Sequence, residues 1–351
     1  MCSDIVEVMA RWVLHVDLDE FIAAVEVLRH PELADKPVIV GGDGDPTKRG
    51  VVSTANYVAR RFGVGSAMPL RTAYKRVPEA VFLPVDAPVY LEASHGVMDV
   101  LRSFPAVVQV LGWDEAFMGV TSNDPDALAH EVQARVLERT KLWCSIGVGD
   151  SKHRAKLASG FAKPRGVFVL TASNWDEVMG PQPVTALWGI GVKTGRKLEA
   201  LGIRRVEQLA AADDAMMATE FGPNTGPWIR RLGTGEDDAE VSDAPHVARG
   251  HGRERTFQKD LTDPEEIRRE VSRLAHELLE DVQAEGRPVI RVTVKVRFVP
   301  FFTRQHAVKL AEPSEDERTI EEGAQRALAK FELDRPVRLL GVRGEFAGPS
   351  S

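Results

Sequence analysis

Residues 13–26 read VLHVDLDEFIAAVE, an apolar segment interrupted by two carboxylates. The period-two alternation of WVLHVDL makes a strand, and the apolar spacing of FIAAVEVLR starts a helix directly after it. A chain folding around this segment must bring the strand end to water, to hydrogen-bond donors or to cations, because buried charge is otherwise costly. Turn formation or helix capping is one account of these acids, and it suits Asp19 better than Asp17.

A second acid pair calls for something more. VVQVLGWDEAFMGV carries Asp114 and Glu115 at the end of another apolar strand, about a hundred residues further on. In an antiparallel sheet the two strand ends could lie side by side, and three neighbouring carboxylates would repel unless cations sat among them. Hard divalent cations such as Mg²⁺ take oxygen ligands. Two of them held this way clamp an in-line phosphoryl or nucleotidyl transfer. STANYVARRFGV adds Tyr57 and Arg60, three apart on one helix face, as a hydroxyl and a guanidinium for phosphate oxygens. FAKPRG adds Lys163. Singly, each of these is an ordinary solvent-facing residue; together with the acids they suggest a triphosphate site.

The rest of the chain is organised around these segments. KPVIVGG and GVVSTAN read as strands, NYVARRFG and the region of YLEASHGVMDVLRSF as helices, and DALAHEVQARVLERTKL as an amphipathic helix leading into strand WCSIGVG. From Pro181 short helices alternate with glycine turns. EDDAEVSDAP, 236–245, has the composition of a linker. Beyond it the order is β-α-β-β-α-β, with a helix opened by Asp263-Pro264.

A net charge of −7 argues weakly against a nucleic-acid partner, but the charge is segregated. Residues 287–309 hold six Lys or Arg and no acid, and 151–166 hold five and no acid, so basic strips can still meet a polyanion. In LWGIGVKTGRKLEALGI the Lys-Thr pair invites a phosphate-loop reading, but Val192 stands where that motif needs Gly. A helix, a Gly-Ile-Gly turn and a second helix instead offer backbone N–H groups to a DNA phosphate. Cys2 and Cys144 form no metal or disulfide pattern, and Cys144 reads as core. No apolar run reaches the ~20 residues of a membrane helix, which makes the cytoplasm the expected compartment.

These motifs carry a resemblance. HVDLDEFIAAVE, VVSTANYVARRFGVGSAMP, WDEAFMGV, VGDSKHRAKLASGFAKPRG and LWGIGVKTGRKLEALGI stand in the order and spacing of the Y-family translesion DNA polymerases, DinB or DNA polymerase IV branch, from about residue 12 to 347. The resemblance implies an α+β multidomain right-hand polymerase with palm (12–19 and 86–174), fingers (20–85) and helix-hairpin-helix thumb (175–235). A tether (236–245) and a β-α-β-β-α-β little finger (246–347) complete it. It implies that Asp17, Asp114 and Glu115, with the Leu18 carbonyl, bind two Mg²⁺ or Mn²⁺ ions. Tyr57, Arg60 and Lys163 would hold the incoming triphosphate, Thr54 would lie near its base and phosphates, and Phe21 against its sugar. Gly189, Gly191 and Lys193 would meet the DNA backbone, and Arg291, Lys295 and Arg297 its groove. The implied partners are primer-template DNA and nucleoside triphosphates, met by a monomer, with low-fidelity copying past damaged bases and no membrane.

Three departures stand out. Ile22 occupies the place where the family usually carries the Tyr or Phe that excludes ribonucleotides, so weakened exclusion is expected. Gly112 replaces a frequent Ser, with little expected consequence. VRGEFAGPSS lacks a Gln-plus-aromatic segment of the kind that docks a sliding clamp, which leaves a clamp partner without support at that end. The competing reading is a catalytically silent DNA-binding scaffold of the same fold, and a nucleotide cyclase is a third; three mutually repelling acids weigh against the scaffold, and the DNA-facing hairpin against the cyclase.

Overall fold

The computed structural model describes residues 10–348; Cys2 and the last residues of VRGEFAGPSS lie outside them. The strands are β1 (Ala10–Leu18), β2 (Val38–Val40), β3 (Thr54–Ala55), β4 (Val81–Leu83), β5 (Val107–Val110), β6 (Glu115–Ser122), β7 (Cys144–Gly149), β8 (Val167–Leu170), β9 (Gly250–Leu261), β10 (Val289–Phe298), β11 (Phe302–Ser314) and β12 (Val337–Phe346). The chain forms two compact units, one of residues up to Asp45 with Val51–Ala244, the other of Pro46–Gly50 with the residues from Pro245 on. No described helix is long and apolar enough to cross a membrane.

The first unit is built on a five-stranded sheet in the order β5-β6-β1-β7-β8. Its centre is β1, antiparallel to both neighbours, with Asp17 opposite Glu115 on one side and Ser145 on the other. Leu14, Val16 and Leu18 are buried, and so is His15 between them, so both faces of β1 are covered. One helix, Lys152–Ala162, lies almost directly on the backbone of β7. A Cβ on Gly147 would stand 2.0 Å from the Ala155 carbonyl oxygen, and one on Gly149 would stand 2.6 Å from Ala155 N. Only glycine permits that approach, and it carries Lys156 and Ser159 to the back of β1.

A smaller sheet, β3-β2-β4, buries Ile39, Ala55, Ala59 and Leu70. The strand expected over GVVSTAN shrinks to Thr54–Ala55 plus a single bridge from Val51 to Pro69. The helix after it is only Tyr57–Arg60, opened by the Asn56 side chain, which accepts from Ala59 N at 3.0 Å. The same Asn56 oxygen accepts from Val38 N at 3.0 Å, so strand and helix are cut short by one shared cap.

The helical segment after Pro181 packs its helices around Leu198, Val206, Leu209 and Met217. It joins the sheet through Trp175, whose indole N–H donates to the Gly233 carbonyl at 2.9 Å, and Arg154, which donates to the Thr234 carbonyl at 3.1 Å and Asp150 at 2.9 Å. His153 lies among these, stacked on Trp188 at 6.2 Å. The acidic stretch read as a linker instead belongs largely to this unit. Lys152 donates to the Glu240 carbonyl, Ser242 N donates to Gln109, and Val241 sits against Gly119. Val241, the one β-branched aliphatic residue among the acids, finds a seat over a strand glycine, which composition does not reveal.

The second unit is an antiparallel sheet, β11-β10-β12-β9, with the helices Pro264–Glu285 and Glu317–Leu328 on one face. Val292, Val294 and Val296 face those helices and are buried, while the alternate residues Arg291, Lys295 and Arg297 line the open face. Asp263 caps the first helix, accepting from Glu265 N at 3.0 Å, with Pro264 at its first position.

His153 supplies a pH test of the first unit. Burial is the main cause that pushes its imidazole down to about 4, from 6.5 when exposed. Between those values the unfolded chain binds a proton that the folded one refuses, so stability falls as pH drops from 6.5 toward 4. Urea midpoints of this unit are expected to decline over that window, and His153→Gln to flatten the decline; an unchanged slope in the variant would assign the acid sensitivity to other groups.

Candidate active site

The acids at the two strand ends do meet. Leu18 N donates to the Asp114 carbonyl at 2.8 Å, and Leu111 N and Gly112 N both donate to the Glu115 carbonyl, closing a tight turn that presents Asp114. Asp17, Asp114 and Glu115 therefore cluster at adjoining ends of β1 and β6. Burial, and then the charges of Asp17 and Glu115, push the Asp114 carboxyl up. A side chain on Gly112 would meet Asp114 Oδ1 at 3.7 Å, an ordinary contact, so the glycine there is permitted rather than required.

Ammonium groups hold two of the three acids. Lys163 Nζ is 2.6 Å from Asp17 Oδ1, and Lys156 Nζ is 2.5 Å from Glu115 Oε2. Among the described residues no group of three or more His, Cys, Asp or Glu is arranged to hold a metal. The donor set is still all oxygen, and at Asp114 burial, followed by the charges of Asp17 and Glu115, disfavours the unpaired carboxylate, so the set fits hard divalent cations.

Behind Glu115 lies a network that the motifs did not disclose. His15 is fully buried, with Nδ1 2.8 Å from Ser159 Oγ and Nε2 3.2 Å from Lys156 Nζ. Ser159 donates its own proton to the Lys156 carbonyl. Nε2 also stands 3.4 Å from Glu115 Oε2, and burial is the main cause that lowers the basicity of the ring. Contacts with His15 and Lys156 bring the Glu115 carboxyl down to about 2. The signal available in the sequence was spacing: Lys156, Ser159 and Lys163 recur at three and four on the helix laid over β7.

Asp19 proves to be an anchor. It is 2 % exposed, and it accepts from Tyr57 OH at 2.8 Å, from Ser145 Oγ at 3.0 Å and from Arg165 N at 2.8 Å. Lys163 Nζ stands 3.7 Å away. Tyr57 and Lys163, expected at a triphosphate, are thus gathered around one carboxylate. Burial and then the bond to Asp19 push the Tyr57 phenol up, so the hydroxyl remains a donor. The backbone N–H of Tyr57 donates to Glu20. Arg60 donates from Nε to the Ala55 carbonyl at 2.8 Å and lies over the Tyr57 ring, with no acid paired to it among the described residues.

Of the remaining expected residues, Ile22 and Thr54 are half-buried. Phe21 is 3 % exposed and packed into the main core with Leu18 and Val25. Gly189 adopts φ +99° with the Trp228 ring 3.2 Å from where a Cβ would stand, and Gly191 opens the helix Val192–Ala200, on which Lys193 is exposed. On the second unit Arg291 pairs with Glu345 at 3.2 Å, Lys295 with Glu254, and Arg297 donates to Thr303 Oγ1 at 2.9 Å.

Residues 16–160 match the impB/mucB/samB family, 248–345 match its C-terminal domain, and 172–203 match the IMS family HHH motif. The chain is 50% identical over 341 residues to DNA polymerase IV 2 of Mycobacterium tuberculosis, covering 96% of this chain and 98% of that one. It is 38% identical over 339 residues to DNA polymerase IV of Methanoculleus marisnigri, covering 95% and 94%. Among solved structures, a Y-family DNA polymerase chimera of Dbh and Dpo4 superposes with a TM-score of 0.84 at 24% identity, over 95% of this chain and 98% of that one. DinB from Sulfolobus solfataricus superposes at 0.62, also at 24% identity and over the same shares.

The anchor can be tested directly. Asp19→Ala strips an acceptor from three donors, and at about 1–3 kcal/mol for a buried group left unpaired the first unit should lose on the order of 3 kcal/mol. Asp19→Asn, which keeps one acceptor oxygen, should lose less. Chemical denaturation that shows Asp19→Ala as stable as the parent would remove Asp19 from this role.

Proposed function

The chain belongs to the Y-family DNA polymerases, in the DNA polymerase IV branch, and from that premise we propose how its residues divide the work of template-directed nucleotide addition. A primer 3′-hydroxyl attacks the α-phosphorus of a nucleoside triphosphate, a new P–O bond forms, and pyrophosphate leaves with the electrons of the broken one. The observation that supports this assignment above others is the convergence of Asp17, Asp114 and Glu115 beside Tyr57 and Lys163.

Asp17, Asp114, Glu115 and the Leu18 carbonyl are the residues to hold two divalent cations, Mg²⁺ or Mn²⁺, which when bound would activate the hydroxyl and neutralise charge on the phosphates. Lys163 and Arg60 take the β- and γ-phosphates: Lys163 exchanges Asp17 for phosphate oxygens, and Arg60, whose terminal nitrogens pair with no acid among the described residues, does the same. Tyr57 donates its hydroxyl, kept protonated by its surroundings. Thr54 flanks the triphosphate and base. Gly189, Gly191 and Lys193 meet the backbone of duplex DNA, and Arg291, Lys295 and Arg297 follow a groove by releasing their acid partners to phosphates. In this reading 12–19 with 86–174 is the palm, 20–85 the fingers, 175–235 the thumb and 246–347 the little finger; the tether contracts, because most of 236–245 is packed on the first unit.

Ile22 sets the sugar preference. It opens the helix after the acidic strand end together with buried Phe21, and it has a branched aliphatic chain where a flat ring would stop a 2′-hydroxyl. An apolar site rejects an added hydroxyl poorly without a steric block. The proposal is therefore a low-fidelity translesion polymerase that accepts ribonucleotides as well as deoxynucleotides.

Single-nucleotide primer extension, pairing each deoxynucleotide with its ribonucleotide, tests both parts. Template-directed addition is expected, with ribonucleotide use reduced at least about tenfold by Ile22→Phe; equal use by both proteins would remove Ile22 from sugar selection. Asp114→Ala should abolish addition while primer-template binding by anisotropy stays within about threefold, since the lost carboxylate serves chemistry rather than the DNA backbone. Loss of both in a folded variant would defeat that division.

A further inference from the structure

The second unit carries an aromatic feature that the groove-lining cations do not explain. Its β10–β11 hairpin ends in Val299-Pro300-Phe301-Phe302, and the two rings are 68% and 44% exposed. Adjacent phenyl rings held in water at a hairpin tip are a standing cost that a partner would relieve. Nothing in the fold of the unit requires them there, since the core beneath is closed by Phe298, Val337 and Leu340.

The rings are accompanied by guanidinium groups. Arg338 lies 4.8 Å from the centre of Phe301, and Arg304 and Arg335 lie 4.8 and 5.9 Å from the centre of Phe302. Asp334 sits 3.9 Å from Arg335, but Arg304 and Arg338 make no ion pair among the described residues. Burial is the main cause that weakens the hold of Arg338 on its proton; Arg49 and Arg297 act in the same direction and Asp260 opposes them. Beside the tip is a recess of about 250 Å³ floored by Phe298, Phe302 and Phe331 and rimmed by Arg304, Lys330 and Arg335 as well as Glu332 and Asp334. Its residues Phe302, Arg304 and His306 alternate with Thr303 and Gln305, which pair with Arg297 and Lys295. The recess thus lies on the opposite side of the hairpin from Arg291, Lys295 and Arg297.

We propose that this hairpin tip is a binding site for single-stranded nucleic acid, with unpaired bases stacked on Phe301 and Phe302 and their phosphates on Arg304, Arg335 and Arg338. A duplex does not fit the feature, because paired bases hide their faces and present only edges and phosphates. An unpaired strand offers both a stacking face and a phosphate per nucleotide, the combination that aromatic rings interleaved with cations recognise. The inference rests on the polymerase reading for its source of single strand, the uncopied template.

Anisotropy titrations of the full chain with a labelled oligothymidine and with a blunt duplex test the proposal. Phe301→Ala with Phe302→Ala is expected to weaken oligothymidine binding on the order of tenfold, while the blunt duplex shifts less than about twofold, and Tyr at both positions should restore the loss. Equal weakening on the two probes, no weakening on either, failure of the wild type to bind oligothymidine, or binding to anionic lipid vesicles in its place would each overturn it. Primer extension on a template with a single unpaired nucleotide reports separately on the polymerase reading, because that substrate has no strand long enough to need the tip.

Discussion

A carboxylate buried as deeply as Asp19 can persist only if donors are brought to it, and besides Lys163 Nζ at 3.7 Å it obtains them from three separate parts of the first unit. Tyr57 comes from a short helix beyond the small sheet, Ser145 from the neighbouring strand, and Arg165 from the turn after the helix that rides on β7. Satisfying Asp19 therefore draws the Tyr57 helix to the strand of Ser145 and the turn of Arg165, which are themselves joined by Arg165 N donating to Ser145 Oγ at 2.9 Å. The two residues best suited to a triphosphate, Tyr57 and Lys163, are brought to either side of it by the same requirement. Low dielectric makes the network costly to break anywhere, which ties the ordering of the site to the stability of the unit.

The carboxylates at the mouth of the site present the complementary problem. Asp17, Asp114 and Glu115 converge because antiparallel pairing of β1 with β6 leaves no other place for them. Their repulsion is moderated by Lys163 and Lys156, and Glu115 is further steadied by the buried His15 and Ser159. Two of the three carboxylates are thus held in ion pairs. In the proposed function Lys163 would meet a triphosphate by exchanging partners rather than by creating new charge.

How much of this could be read from residues alone differed by the kind of interaction involved. The strand ends at Asp17 and Asp114, the β-α-β-β-α-β order of the second unit and the Asp263-Pro264 helix start follow from periodicity and local capping, which act over a few residues. Side-chain direction at the start of a helix was harder: Phe21 and Ile22 are neighbours, yet one is buried in the core and the other half-exposed. The anchor role of Asp19 and the His15–Lys156 contact depend on residues 38 to 146 positions apart, and no pattern within a window signals them. The acidic stretch after Gly235 misled for a related reason, since composition reports the solvation of its acids and says nothing of where Val241 will rest.

The glycines of β7 give the site a mechanical character. With no side chain between Gly147 or Gly149 and the helix above, that contact is backbone against backbone. Ordinary helix–sheet layers absorb small displacements by rotamer changes; this one has no rotamers to change. The helix carrying Lys156, Ser159 and, at its end, Lys163 must then move with the strand or not at all. Positional tolerance is concentrated in the lysine side chains, so adaptation of this site to a different substrate would proceed by exchanging residues on a fixed frame, not by sliding the frame itself.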